Sequence, residues 1–98
     1  MYSLRFEATV IDELAEATSH FLIVFERDDP EGFYRLIRET FEVYLRHPEA
    51  AAPYSLPSLD SLEYRPVNVW KFAFLYRVDR MAKEVVIDRI YHVRSSQL

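Results

Sequence analysis

Near the end of this chain His92 and Arg94 stand two residues apart in a stretch with strand periodicity, which puts both on one strand face. An imidazole moves protons near neutral pH and a guanidinium clamps phosphate, so the pair has the types needed for acid/base work on a phosphodiester. The plain structural alternative is that His92 hydrogen-bonds the strand end or the Arg94-Ser95-Ser96 segment. Four more cations occupy the same half: Arg65, Lys71, Arg77 and Arg89. Lys71 and Arg77 share a strand face with Ala73 and Leu75 between them. Two cations around small apolar residues suit a docked peptide better than a nucleotide, although an ordinary exposed sheet has the same composition. Arg65 reads as a strand-end charge facing solvent or pairing with Glu63 or Asp88.

Composition removes several classes of chemistry. A chain of 98 residues, half of them hydrophobic, forms one domain over residues 1–98 with one core. It has no cysteine, so disulfides, thiolate metal sites and cysteine nucleophiles are excluded. His20, His47 and His92 show no metal-ligand spacing, and the single glycine, Gly32, rules out a glycine-rich phosphate loop. No cofactor is expected. No apolar run approaches the ~20 residues that span a bilayer, and Met1 to Glu7 does not make a signal peptide. A cytoplasmic protein with no membrane partner is expected. Residues 1–50 hold 11 acids and five bases, net −6, whereas residues 51–98 hold five acids and seven bases, net +2. An anionic partner would therefore meet the second half, or the asymmetry is simply a solvated surface.

The elements that must position these residues follow from periodicity. Tyr2, Leu4 and Phe6 share one face of a short strand. Thr9, three residues before Asp12, has the spacing of a capping box. Ile11, Leu14, Thr18, Phe21 and Phe25 then form one helical stripe. Asp29-Pro30-Glu31 is a second helix start, and Phe33, Leu36, Ile37, Phe41, Tyr44 and Leu45 make its buried row, ended by His47-Pro48. Only Arg27-Asp28 separates the helices, which predicts an antiparallel hairpin. Three prolines make Pro48 to Pro57 a loop. Leu62 and Tyr64 share a strand face, with Glu63 and Arg65 on the other.

The aromatic stripe Trp70, Phe72, Phe74, Tyr76 and Val78 alternates with Val69, Lys71, Ala73, Leu75 and Arg77 along one strand. It could be read as a base-stacking platform. The two amphipathic helices need an apolar surface, however, and this is the most apolar one, so it reads as core with Trp70 at its rim. Asp79 to Lys83 is a turn. In the last strand Val86 and Ile90 fall with Asp88, His92 and Arg94, opposite Val85, Ile87, Arg89, Tyr91 and Val93. The order is β-α-α-β-β-β, an α+β fold with a helical hairpin on one face of a small, mainly antiparallel sheet.

Phe72-Ala-Phe-Leu-Tyr-Arg-Val-Asp79 and Val86-Ile-Asp-Arg-Ile-Tyr-His-Val-Arg94 resemble the aromatic-x-x-x-Tyr-Arg-Val-Asp strand and the terminal strand of the RelE/ParE-type toxins of bacterial type II toxin–antitoxin systems. The resemblance runs over nearly the whole chain and is nearer the ParE, or plasmid-stabilisation, branch. It implies a cognate antitoxin protein as partner. RelE-type members are ribosome-dependent messenger-RNA endonucleases; ParE-type members poison DNA gyrase by binding. The RelE-like strand carries an arginine where this chain has Ala73, its lysine pair is replaced by Ser61, Glu63 and Arg65, and the late tyrosine is missing. The resemblance therefore implies a gyrase-binding toxin, with the endonuclease, using His92 and Arg94, as the alternative. A degenerate member that only binds its antitoxin or forms a homodimer is a third possibility. The expected binding residues are Arg65, Lys71, Arg77, Arg89, His92 and Arg94, with Val86 and Ile90 as the apolar surface under an antitoxin segment. Burial there would be worth ~1.5–3 kcal/mol for each of the two.

Overall fold

The computed structural model describes residues 1–26, 28–52 and 64–93. Strand β1 (Ser3–Phe6) leads through a short 3-10 turn, Ala8–Val10, into helix α1 (Ile11–Val24). Helix α2 (Pro30–Arg46) follows, then β2 (Arg65–Val69), β3 (Phe72–Asp79) and β4 (Glu84–His92). The strands form a four-stranded sheet in the order β1-β4-β3-β2. β1 runs parallel to β4 and the other pairs are antiparallel. Parallel neighbours need a crossover, and here the chain between them includes both helices. The α+β architecture with a hairpin on one sheet face is as the periodicity predicts.

α2 obeys its sequence closely. Asp29 occupies the cap position with Pro30 behind it, and Phe33, Ile37, Phe41 and Leu45 are buried at a four-residue spacing. α1 departs from its predicted stripe. Val10, Ala17 and Phe21 are buried, whereas Ile11 and Phe25 are exposed at 50% and 46%. The capping box is also absent: Thr9 lies inside the 3-10 turn, and Val10 takes the cap position of α1 with no side-chain cap bond. Fully buried Val10 pins this helix start by packing, and Asp12 and Glu13 in the first turn complement the helix dipole. The hairpin connection runs 25–29, and Glu26 at φ 50° supplies the left-handed residue that ends α1; Arg27, part of the predicted connector, lies outside the described residues.

The sheet corrects two further expectations. Val69 pairs with Phe72, so Trp70 and Lys71 are a two-residue hairpin turn and not part of β3. Trp70 adopts φ 56°, a conformation usually left to Gly or Asn in such turns, so composition gives no sign of it. Lys71 and Arg77 accordingly do not share a strand face. In β4, Leu75 faces Arg89 but Tyr76 faces Ile87, leaving Asp88 as the extra residue of a bulge. One extra residue inverts the alternation. Val85, Ile87, Ile90 and His92 thus stand opposite Val78, Tyr76, Phe74 and Phe72 under the helices, and Val86, Arg89 and Tyr91 are on the far face. Val86 and Ile90 do not form one surface.

The core confirms that the β3 aromatics are packing residues. Phe74 and Tyr76 are fully buried, and the Phe41 ring lies 6.0 Å from Phe74 and 5.8 Å from Tyr76. No face of these rings is left for a base. The predicted Leu62 and Glu63 positions and the loop from Pro53 onward lie outside the described residues; Tyr64 is buried beside β2.

Candidate functional site

Three places gather the predicted site residues. On the far face of the sheet, Arg77 donates from Nε to Asp88 at 3.0 Å and from Nη2 to Glu7 at 3.3 Å. Glu7 also accepts from Arg5 at 2.8 Å, and Arg5 Nε reaches Glu84 at 2.9 Å. The Arg5 hydrogen bond holds the Glu7 carboxyl below the ordinary carboxylate range, with the charges of Arg5 and Arg77 adding to it. Burial, then the bond with Asp88, pushes the Tyr64 hydroxyl up. Leu75 and Val86 are buried among these groups. Arg77 therefore spends its guanidinium on two carboxylates, an arrangement that ties β1, β3 and β4 together and leaves little for a phosphate.

Arg65 sits elsewhere. It is only 8% exposed, facing Tyr76 across the β2–β3 pair. Its guanidinium donates to the backbone carbonyls of Glu49, at 3.1 Å, and Ala51. Tyr76 Oη donates to the Pro48 carbonyl, and Arg80 pairs with Glu49. Burial pushes the Tyr76 hydroxyl up to about 12. These three side chains clamp the chain as it leaves α2. The expectation that Arg65 faces solvent is corrected: it is buried and turns inward to backbone acceptors that would otherwise be buried without donors. Asp88 is held by Arg77, and Glu63, the other predicted partner, lies outside the described residues.

The third place is a cleft of about 390 Å³ between α1 and the C-terminal half of β4. Glu13, Glu16 and His20 line one wall, and Phe72, Ile90 and His92 the other. Although 72 positions apart in sequence, His20 and His92 bring their ring centroids to 5.6 Å. Phe72 stands edge-on to both, at 5.8 Å and 5.3 Å, and Trp70 edge-on to His20 at 5.4 Å. Glu13 accepts the Ile90 N–H at 2.7 Å and pairs with Arg89 at 3.2 Å. Lys71 lies over the Trp70 ring, 5.4 Å from its centroid. Two imidazoles can exchange protons with a bound group, but the flanking carboxylates favour a cationic or neutral guest over a phosphate. Arg94, the predicted companion of His92, lies outside the described residues.

The predicted residues thus separate. Arg89, Ile90, His92 and Lys71 border the cleft or its mouth, Arg77 and Val86 belong to the far face, and Arg65 is an internal anchor. His20, Glu13 and Glu16 were not singled out from sequence, because α1 and β4 meet only through the fold. Among the described residues no group of three or more His, Asp or Glu is arranged to hold a metal ion. Among them, too, no helix is long and apolar enough to cross a membrane.

No family model matches the chain, and no curated protein matches it. Among solved structures, a chain of the chromosomal ParDE TA (toxin–antitoxin) system from P. aeruginosa shares its fold. The TM-score is 0.65, with 22% identity over 95% of this chain and 97% of that one. At that identity the likeness is one of fold.

Proposed function

We propose that this chain is the toxin of a type II toxin–antitoxin pair, a ParE-like protein that inhibits DNA gyrase in the cytoplasm by binding and is neutralised by a cognate antitoxin. The observation that carries this reading is the end-to-end fold likeness to a chain of a ParDE system, with 95% of one chain and 97% of the other covered. Two local features support binding over chemistry. Ala73 is buried near the start of β3, where a nuclease would need a cation against the charge developing on phosphate. Arg77, further along that face, is committed to Glu7 and Asp88. Lys71, exposed on the β2–β3 turn over the Trp70 ring, and Arg89, exposed at the cleft although paired with Glu13, are cations open to a target.

A second reading, a messenger-RNA endonuclease, is favoured by one observation, the 5.6 Å approach of His20 to His92. Pulse-labelling of DNA and protein synthesis after induction of this chain alone separates the two. DNA synthesis is expected to fail first. Protein synthesis failing first would replace the gyrase reading with the nuclease. If neither falters while folded protein accumulates, the chain is not a toxin.

A further inference from the structure

The sheet has two edges, and they differ. β2 carries Pro66, which has no N–H to offer an incoming strand. β1, the other edge, holds no proline, no lysine and no bulge. Ser3 donates its N–H to Lys83 and Glu7 donates to Ile87, both on the β4 side. Alternate residues make these bonds in a parallel pair, so the N–H and C=O of Leu4 and Phe6 point away from the sheet. Among the described residues no backbone bond reaches Leu4 or Phe6 from beyond that edge. The charges of β1 do not guard it either. Arg5 is held by Glu7 and Glu84, and Glu7 also by Arg77. We propose that this edge pairs with β1 of a second copy, antiparallel about a two-fold axis at Leu4, to give a symmetric dimer with one continuous sheet. The inference goes beyond the toxin–antitoxin reading and does not depend on it.

The residues of β1 set the register. With the axis at Leu4, that residue faces its own counterpart, Tyr2 faces the second copy's Phe6, and Ser3 faces its Arg5. The two Leu4 residues exchange two N–H···O bonds, and each Phe6 N–H meets the other chain's Tyr2 carbonyl. Tyr2 N–H is already taken by the Leu45 carbonyl at 2.9 Å, so its carbonyl is the group left for pairing. Tyr2, Leu4 and Phe6 are only partly buried against the core, and in this register they meet one another across the axis on the helix side. Centring on Arg5 instead would set two guanidiniums directly opposite, which destabilises a sheet. Centring on Ser3 would leave Phe6 with no residue facing it. Tyr34, exposed beside Phe6 with the rings 6.4 Å apart, widens the apolar rim of the edge. A second copy thus brings a neutral residue to each Arg5 and an apolar one to each apolar position, the self-complementarity that a two-fold contact requires.

The test is sedimentation of the purified full chain at about 100 µM, expected to give the mass of two chains. Ser3→Arg, at an exposed position that would face Arg5 of the second copy, is expected to weaken the dimer about tenfold. Asn68→Arg, exposed on the β2 edge, should change it less than about twofold. Circular dichroism establishes that both variants fold. Because the chain has no cysteine, a single introduced thiol reports the axis directly. Opposed residues of such a pair stand about 5.5 Å apart at Cα, within disulfide reach. Leu4→Cys should therefore form a covalent dimer on mild oxidation at least about tenfold faster than Asn68→Cys. A single-chain mass at that concentration overturns the proposal and leaves the edge to a strand of another protein. A dimer that Asn68→Arg disrupts and Ser3→Arg does not, or equal rates for the two thiols, overturns it as well. The toxin–antitoxin reading stands in each case.

Discussion

The two helices have similar lengths and opposite economies. α2 buries a single row, Phe33, Ile37, Phe41 and Leu45, turns Arg35, Arg38, Glu39 and Glu42 outward and leaves Tyr34 and Val43 exposed singly among them. α1 buries only Ala17 and Phe21 within its span and exposes Ile11, Ile23 and Val24. A helix whose only task is to cover a sheet resembles α2. α1 has apolar residues on two sides, and the side that the chain leaves open borders the cleft holding His20 and His92. The contrast separates a packing element from one shaped for a second contact.

That contrast can be broken by removing side chains from each element. The largest effect is expected from Phe41→Ala in α2, a fully buried ring against Phe74 and Tyr76. It should cost about 3–5 kcal/mol in urea denaturation; a loss under about 1 kcal/mol would mean α2 is not the packing helix. Tyr76→Phe removes the hydroxyl bond to Pro48 at the exit of α2 and should cost about 1 kcal/mol. It should also change the alkaline limb of stability. With the folded-state value raised from 10 to about 12, the contribution of the protonated hydroxyl is complete below pH 10 and lost as pH rises through 12. The phenylalanine variant should therefore lose stability less steeply across that window, measured by thermal melts at successive pH.

On the far face of the sheet, Glu7→Gln should flatten the acid limb. The Glu7 carboxyl is held below its usual 4.5 by Arg5, so its contribution is present above that value and fades as pH falls beneath it. The smallest change is expected from Ile23→Ser, within about 0.5 kcal/mol in the same denaturation assay. A drop of more than about 1 kcal/mol would show that the chain itself covers Ile23, and the two helices would then be alike.

Where the sequence could be read, a local rule governed. The four-residue spacing of the α2 row and the Asp29-Pro30 start needed no knowledge of the rest of the molecule. The strand periodicity of β3 held from Phe72 onward, and the resemblance to RelE/ParE-type toxins matches the fold neighbour found. Misreadings fell where a long-range contact or an unmarked backbone feature decided. The Asp88 bulge inverts the faces of β4, and nothing in Ile87-Asp88-Arg89 announces it. Trp70 holds a positive-φ turn without a turn residue. Ile11 and Phe25 are apolar at helical spacing yet exposed, because Val10 and Ala17 take the inner side of α1. The candidate site was legible only in part. His92 stood out by type, but its neighbours Glu13, Glu16 and His20 come from the opposite end of the chain, and no spacing rule joins them.

The parallel pairing of β1 with β4 has a consequence for the order of events during synthesis. Ser3 is opposite Glu84 and Phe6 opposite Ile87, so of the four described strands the first to be synthesised is paired by the last. At about 5–20 residues per second that interval is roughly 4–16 s. Through it, the helical hairpin can form from local contacts and Phe6 can meet Tyr34 of α2, while β1 has no strand partner and the cleft lacks its β4 residues. The cleft is therefore completed by the last of the four strands, and a chain interrupted before Glu84 carries both helices but lacks the Ile90 and His92 side of the cleft.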